Sequence, residues 1–96
     1  MIVDIECIPN PLGTDVSRYA FVEAAIAVAQ ASGVRYEVHA MGTTLEGPPD
    51  VLWPLVRRMH EACLEAGAAS VVTVVKVAQA GGDEQPTIDG LTGTFR

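Results

Sequence analysis

Residues 2–8 alternate, with Val3, Ile5 and Cys7 on one side and Asp4 and Glu6 on the other, which predicts a strand with one dry face. Pro9-Asn10-Pro11-Leu12-Gly13 ends it, because two prolines deny ladder donors and Gly13 permits a tight turn. Thr14 or Asp15 then offers a cap for a helix over the Ala-rich stretch from Val16 to about Ser32, which has no Gly or Pro and stops at Gly33. Its few polar positions (Ser17, Arg18, Glu23, Gln30, Ser32) form no broad stripe, so part of it is expected to meet another surface. Strict alternation from Val34 to Ala40 predicts a second strand, with Arg35, Glu37 and His39 sharing one side. Met41-Gly42 interrupts it and Thr43 to Gly47 resumes in β-favouring residues, so a hairpin with a two-residue turn at Met41-Gly42 is expected. Pro48-Pro49 closes the third strand. Asp50 can cap a second helix over Val51 to Ala66, with Leu52, Leu55, Val56, Met59 and Cys63 on one stripe, Pro54 near its first turn and Gly67 at its end. Ser70 to Val77 is the richest β run, and residues 81–96, beginning Gly-Gly-Asp-Glu-Gln-Pro, read as a loop or partly ordered tail after a domain of residues 1–80.

The order is β-α-β-β-α-β. It predicts an α+β fold, the ferredoxin-like split βαβ sandwich, with an antiparallel sheet in the order 4-1-3-2 and two helices on one face. Asp4, Glu6, Glu37 and His39 should then point to the open face. The first loop, the hairpin and the start of the fourth strand should gather at one end of the sheet, bringing together the hydroxyls of Ser17, Thr43 and Thr73, the His39 ring and the Met41 thioether. These groups could line a pocket or simply serve the backbone of caps and turns. A turn at Met41-Gly42 would set Glu37 opposite Glu46, with Glu6 on the next strand. That arrangement is either an acidic cluster, able to hold a cation or answered by Lys76 or Arg35, or a solvated face whose side chains splay apart.

Composition narrows the classes. The chain has 96 residues, 49% apolar and 19% charged but only 5% aromatic, so one core of Val, Ala, Ile and Leu is expected, with spare apolar surface suited to copies of itself. A net charge of −6 argues against a nucleic-acid partner. Cys7 and Cys63 lack CxxC spacing and read as free thiols in a reducing cytosol; no basic leader or long apolar run supports export or a membrane partner. His39 alone, or His60 with Cys63, lacks the further ligands of a metal site, and no GxSxG, P-loop or HExxH motif indicates catalysis.

The segment Tyr36-Glu37-Val38-His39-Ala40-Met41-Gly42-Thr43-Thr44-Leu45-Glu46-Gly47 resembles the small thiamine-binding protein family, through its Tyr-Glu, Met-Gly-Thr and Glu-Gly pairs. The likeness extends over about residues 1–78, through Pro11-Leu12-Gly13, Val16-Ser17, His60-Glu61, Ala66-Gly67 and Thr73 to Lys76. The chain departs from the family in carrying Ala40 where a proline is usual, and Ala78 to Gly82 where charged residues are usual. The resemblance implies a non-enzymatic, homo-oligomeric binder, a dimer or dimer of dimers, of thiamine or its hydroxymethylpyrimidine part, with no cofactor or metal. On that reading Ser17, Glu37, His39, Met41, Gly42, Thr43, Glu46 and Thr73 form the ligand site. Glu37 or Glu46 would meet the pyrimidine or the thiazolium charge, Ser17 and Thr43 would hydrogen-bond, Met41 would contact the ring, and Gly42 would let the backbone approach. The alternative is an assembly or regulatory module that uses its open sheet against another protein, with no small ligand.

Overall fold

The computed structural model describes residues 1–96. Strands β1 (Ile2–Asn10), β2 (Arg35–His39), β3 (Gly42–Glu46) and β4 (Ser70–Ala78) form one antiparallel sheet in the order β2-β3-β1-β4. Helices α1 (Ala20–Ala31) and α2 (Pro49–Ala66) cover one face of it. This is the ferredoxin-like sandwich that the element order predicts. Alternation in β1 sends Val3 and Ile5 into the core, where they meet Leu45 of β3, Phe21, Ala25 and Ala29 of α1, and Leu52, Leu55, Met59 and Cys63 of α2. The ladder places Asp4, Glu6, Glu37 and His39 together on the face opposite the two long helices.

Local signals misplace three features. Helix α1 begins at Ala20, not Val16, because the residues before it are folded into a compact loop. A Cβ on Gly13 would lie 2.3–2.6 Å from the backbone of Ser17, Arg18 and Ala20, so only glycine fits there. Thr14 accepts from Ser17 N–H at 3.0 Å and so closes a turn instead of capping the helix. Helix α2 begins earlier than expected, at Pro49, whose missing N–H costs nothing in the first turn; Asp50 lies in that turn, where its charge suits the helix dipole. The hairpin turns at Ala40-Met41, since His39 pairs with Gly42. A Cβ on Gly42 would sit 2.8 Å from Ile5 O, so this glycine serves as the first residue of β3, where the strand presses against β1. Glu37 therefore faces Thr44, and it is Arg35 that faces Glu46. The like-charge pair does not form.

Residues 81–96, expected as a loop or partly ordered tail, carry a short helix and several side-chain bonds. Gln85 closes the connection by donating to Ala80 O (2.8 Å) and Gly82 O (2.6 Å) and accepting from Ala80 N–H (3.0 Å). A short helix, α3 (Ile88–Thr92), follows, capped by Thr87 Oγ1, which accepts from Gly90 N–H at 2.9 Å. Ile88 is only 3% exposed, and its N–H donates to Glu46 Oε1 at 2.6 Å. Arg35 makes a two-pronged bond to Asp89 (2.6 and 2.7 Å), and Arg96 donates from one terminal nitrogen to both Glu37 oxygens (2.6 and 2.7 Å). Residues of β2 and β3 on the open face thus hold the C-terminal segment, and the carboxylates of Glu37 and Glu46 are consumed in doing so.

This clasp has a pH signature. The Arg35 guanidinium holds the Asp89 carboxyl below its ordinary value of 3.8. A carboxyl lowered on folding stabilises the folded chain above its unfolded value, and that contribution is lost as the pH falls through the folded one. Amide exchange over residues 86–96, corrected for intrinsic rates and read relative to α2, is expected to accelerate as the pH drops below about 3.8. Asp89→Asn should loosen the same residues at neutral pH, and unchanged protection in both cases would show that the ion pairs do not hold the segment.

Candidate functional site

The strands differ in length, and the site lies where they stop matching. β1 stays paired with β4 as far as Asn10, but its pairing with β3 ends at Ile5 opposite Thr43. The short hairpin leaves a notch in the sheet beside Cys7. Under it is a cavity of about 150 Å³, walled by Val22, Ala25 and Ile26 of α1, Met59 of α2, Ile5, Glu6 and Cys7 of β1, and the hairpin from Val38 to Thr43. Val22 and Ile26 stand one helical turn apart, so part of the unusually apolar surface of α1 is cavity wall.

Most of that wall is apolar, and its polar exceptions are few. Thr43 is 3% exposed and is the one buried polar residue of the chain. Strand alternation points its side chain to the helix-covered face, beside Ile5; its hydroxyl makes no hydrogen bond within the chain, and because no fully buried side-chain oxygen is left unpaired, it opens onto the cavity. On the outer face His39 Nε2 lies 2.8 Å from Asp4 Oδ1, and Thr44 donates to the same oxygen at 3.2 Å. This pins β2 across the bare Gly42 position to β1. Glu6 lines the cavity without an ion-pair partner. Burial pushes the Cys7 thiol above its ordinary value, against the pull of hydrogen bonds to Thr73 and Cys63. Cys63 is pushed up to about 11, mainly by burial and also by the neighbouring Cys7. Both thiols therefore stay protonated at neutral pH and are poor nucleophiles. No group of three or more His, Cys, Asp or Glu is arranged to hold a metal ion.

Of the eight residues singled out from sequence, His39, Met41, Gly42 and Thr43 line this cavity together. The other four lie apart from it. Glu37 and Glu46 hold the C-terminal segment. Ser17 sits in the loop before α1, its carbonyl accepting from Thr14 and Ala20. Thr73 faces the helices from β4 and is bonded to His60 Nδ1 at 2.6 Å. The expected cluster of Glu6, Glu37 and Glu46 is absent for the same reason: two of its members have partners on the C-terminal segment, and only Glu6 reaches the cavity. Ile5, Cys7 and Met59 are wall residues that the sequence placed only on buried faces, and Val22 and Ile26 belong to the helix for which it expected contact with another surface, without naming them.

A family model described as thiamine-binding protein matches residues 3–92. The chain belongs to the thiamine-binding protein family. Among relatives, a UPF0045 protein of Clostridium perfringens is 33% identical over 94 residues, covering 98% of this chain and 95% of its own. A solved structure described as a domain of unknown function from Bacillus cereus is 41% identical, with a TM-score of 0.83 over 100% of this chain and 91% of that one. A candidate thiamine biosynthesis/salvage protein of Thermotoga maritima shares the fold, with a TM-score of 0.82 at 23% identity over 99% of this chain and 97% of that one. The family is named for binding, and its match runs past β4 through the C-terminal helix. No helix of this family member is long and apolar enough to cross a membrane.

Proposed function

We propose that this protein is a non-enzymatic, cytosolic binder of thiamine or its hydroxymethylpyrimidine moiety, and that the notch cavity receives the pyrimidine ring. The observation that carries the reading is Thr43: a hydroxyl on a residue 3% exposed, without a partner in the chain, facing a mostly apolar cavity. A hydroxyl that opens onto the cavity and has no partner in the chain is placed to hydrogen-bond a ligand, a bond worth about 0.5–1.5 kcal/mol net. The volume suits the same ligand, because a cavity of about this size takes one benzene-sized ring. Met41 and Met59 present polarizable sulfur to a ring. The thiazolium of thiamine would then remain at the mouth, where Glu6 stands without an ion-pair partner and the chain's net charge is −6.

Isothermal titration with thiamine and, separately, with hydroxymethylpyrimidine tests this. Both are expected to bind with one ligand per chain; no heat with either up to millimolar concentration would sink the proposal.

Self-association is part of the same reading. The outer edge of β4 is unpaired along its whole length, and Val72 (64% exposed) and Val74 lie with Ile8 on the open face. A homodimer joined there, or a pair of such dimers, would cover them. The second reading, an assembly module that needs no small ligand, rests on this same apolar edge. The two are separated by Thr43→Val, which touches the cavity and leaves β4 alone. Substituting Glu37 or Glu46 would instead disturb the C-terminal segment.

A further inference from the structure

The notch also leaves backbone groups without partners. In an antiparallel pair, both hydrogen bonds are exchanged at every second residue, so each residue of a central strand turns its N–H and C=O to one neighbour only. The parity of β1 is fixed at both ends. Gly47 N–H donates to Met1 O at 3.1 Å on the β3 side, and Pro9, which has no N–H to give, stays in register with Val71 of β4. Odd-numbered residues therefore face β3, and even-numbered ones face β4. Val3 and Ile5 meet Leu45 and Thr43. The next odd residue is Cys7, and there β3 has already turned away through Ala40-Met41, with no main-chain bond from the turn reaching it. Its N–H and C=O form one residue's worth of bare strand edge beside a cavity that Cys7 itself lines.

Such an edge presents a donor and an acceptor side by side, in plane, without a side chain's freedom to move away. We propose that the main chain of Cys7 recognises the ligand: its N–H donates to a ring nitrogen and its C=O accepts from an amino group on the adjacent ring carbon. The ligand class is a flat nitrogen heterocycle carrying that acceptor-donor edge, which takes the place of the strand residue that β3 does not provide. Thr43, one register step away on the same side, supplies a separate point of contact. The assignment rests on the reading of the cavity as a ring-binding site. It also makes the identity of the Cys7 side chain secondary to recognition.

The test uses the native protein with two probes: hydroxymethylpyrimidine with its amino group, and the analogue in which a carbonyl replaces that amino group and the ring nitrogen bears hydrogen. The swap reverses donor and acceptor while keeping size and planarity. The amino compound is expected to bind at least about tenfold more tightly, because the reversed edge leaves both Cys7 groups facing like partners. Amide exchange at Cys7, fast without ligand, should slow in its presence. Binding of the amino compound without protection of the Cys7 amide, or equal affinity for the two probes, overturns this assignment and leaves the ring-binding reading standing. No binding by either overturns both.

Discussion

Thr43→Val should leave the unliganded protein as stable as the native one or more so, and weaken its hold on an aminopyrimidine by about tenfold or more. Valine replaces the hydroxyl with a methyl of nearly the same size, on a β-branched side chain that suits the strand. The hydroxyl has no partner within the chain, so its removal breaks no internal hydrogen bond and creates no void. A gain of about 1 kcal/mol would appear as roughly 4–8 °C in Tm for a domain of this size. With ligand bound the balance reverses, because the ring loses a hydrogen-bonding group and gains an apolar one. Thermal unfolding with and without ligand reads both effects in one experiment. A valine variant that binds as well as the native protein would remove Thr43 from the site, and one that unfolds at a much lower temperature would show that the hydroxyl has a partner in the native state.

Leu55→Ala is expected to have the largest effect on stability. Leu55 is fully buried on α2, between the sheet and α1, in a core with a single buried aromatic, Phe21. With few large rings nearby to swing into the space, the site collapses poorly, and the cost should lie near the upper part of the ~2.7–5 kcal/mol range for such truncations. A loss of about 4 kcal/mol, read as a lower urea midpoint at unchanged slope, is a large share of the ~5–15 kcal/mol that holds a small domain together. Leu55→Met, which conserves volume, should cost less than about 1.5 kcal/mol. Equal losses for both would mean that the side chain's shape, and not the volume it fills, sets the stability.

The elements that carry a full period of alternation were legible in the sequence. Ile2 to Ile8, Val34 to Ala40 and the α2 stripe each report their buried face locally, and with the element order they fix the topology. What failed depended on partners distant in the chain. Gly42 looks like a turn residue until Ile5 O, 37 positions away (42 − 5), is seen to occupy the space of its Cβ. Residues 81–96 lack a hydrophobic period because one side chain, Ile88, and three charged contacts to β2 and β3 are enough to hold them. Four of the thirteen cavity residues, His39, Met41, Gly42 and Thr43, were singled out because they sit together on one hairpin. The rest were not, since a residue such as Val22 or Met59 looks the same in sequence whether it packs against another side chain or against a cavity, and the unpaired main chain of Cys7 leaves no mark in the sequence at all.

The unequal strands also bear on how such a site could change over time. Its opening is set by where the β2-β3 hairpin turns back, so two added residues on each arm would carry β3 past Cys7 and seal the notch with main chain, leaving the wall residues outside the hairpin unaltered. Shortening the arms would widen it. Insertions and deletions at the Ala40-Met41 tip, a position where chains tolerate them readily, are thus a route by which one scaffold could gain, resize or lose a ligand while its core stays fixed.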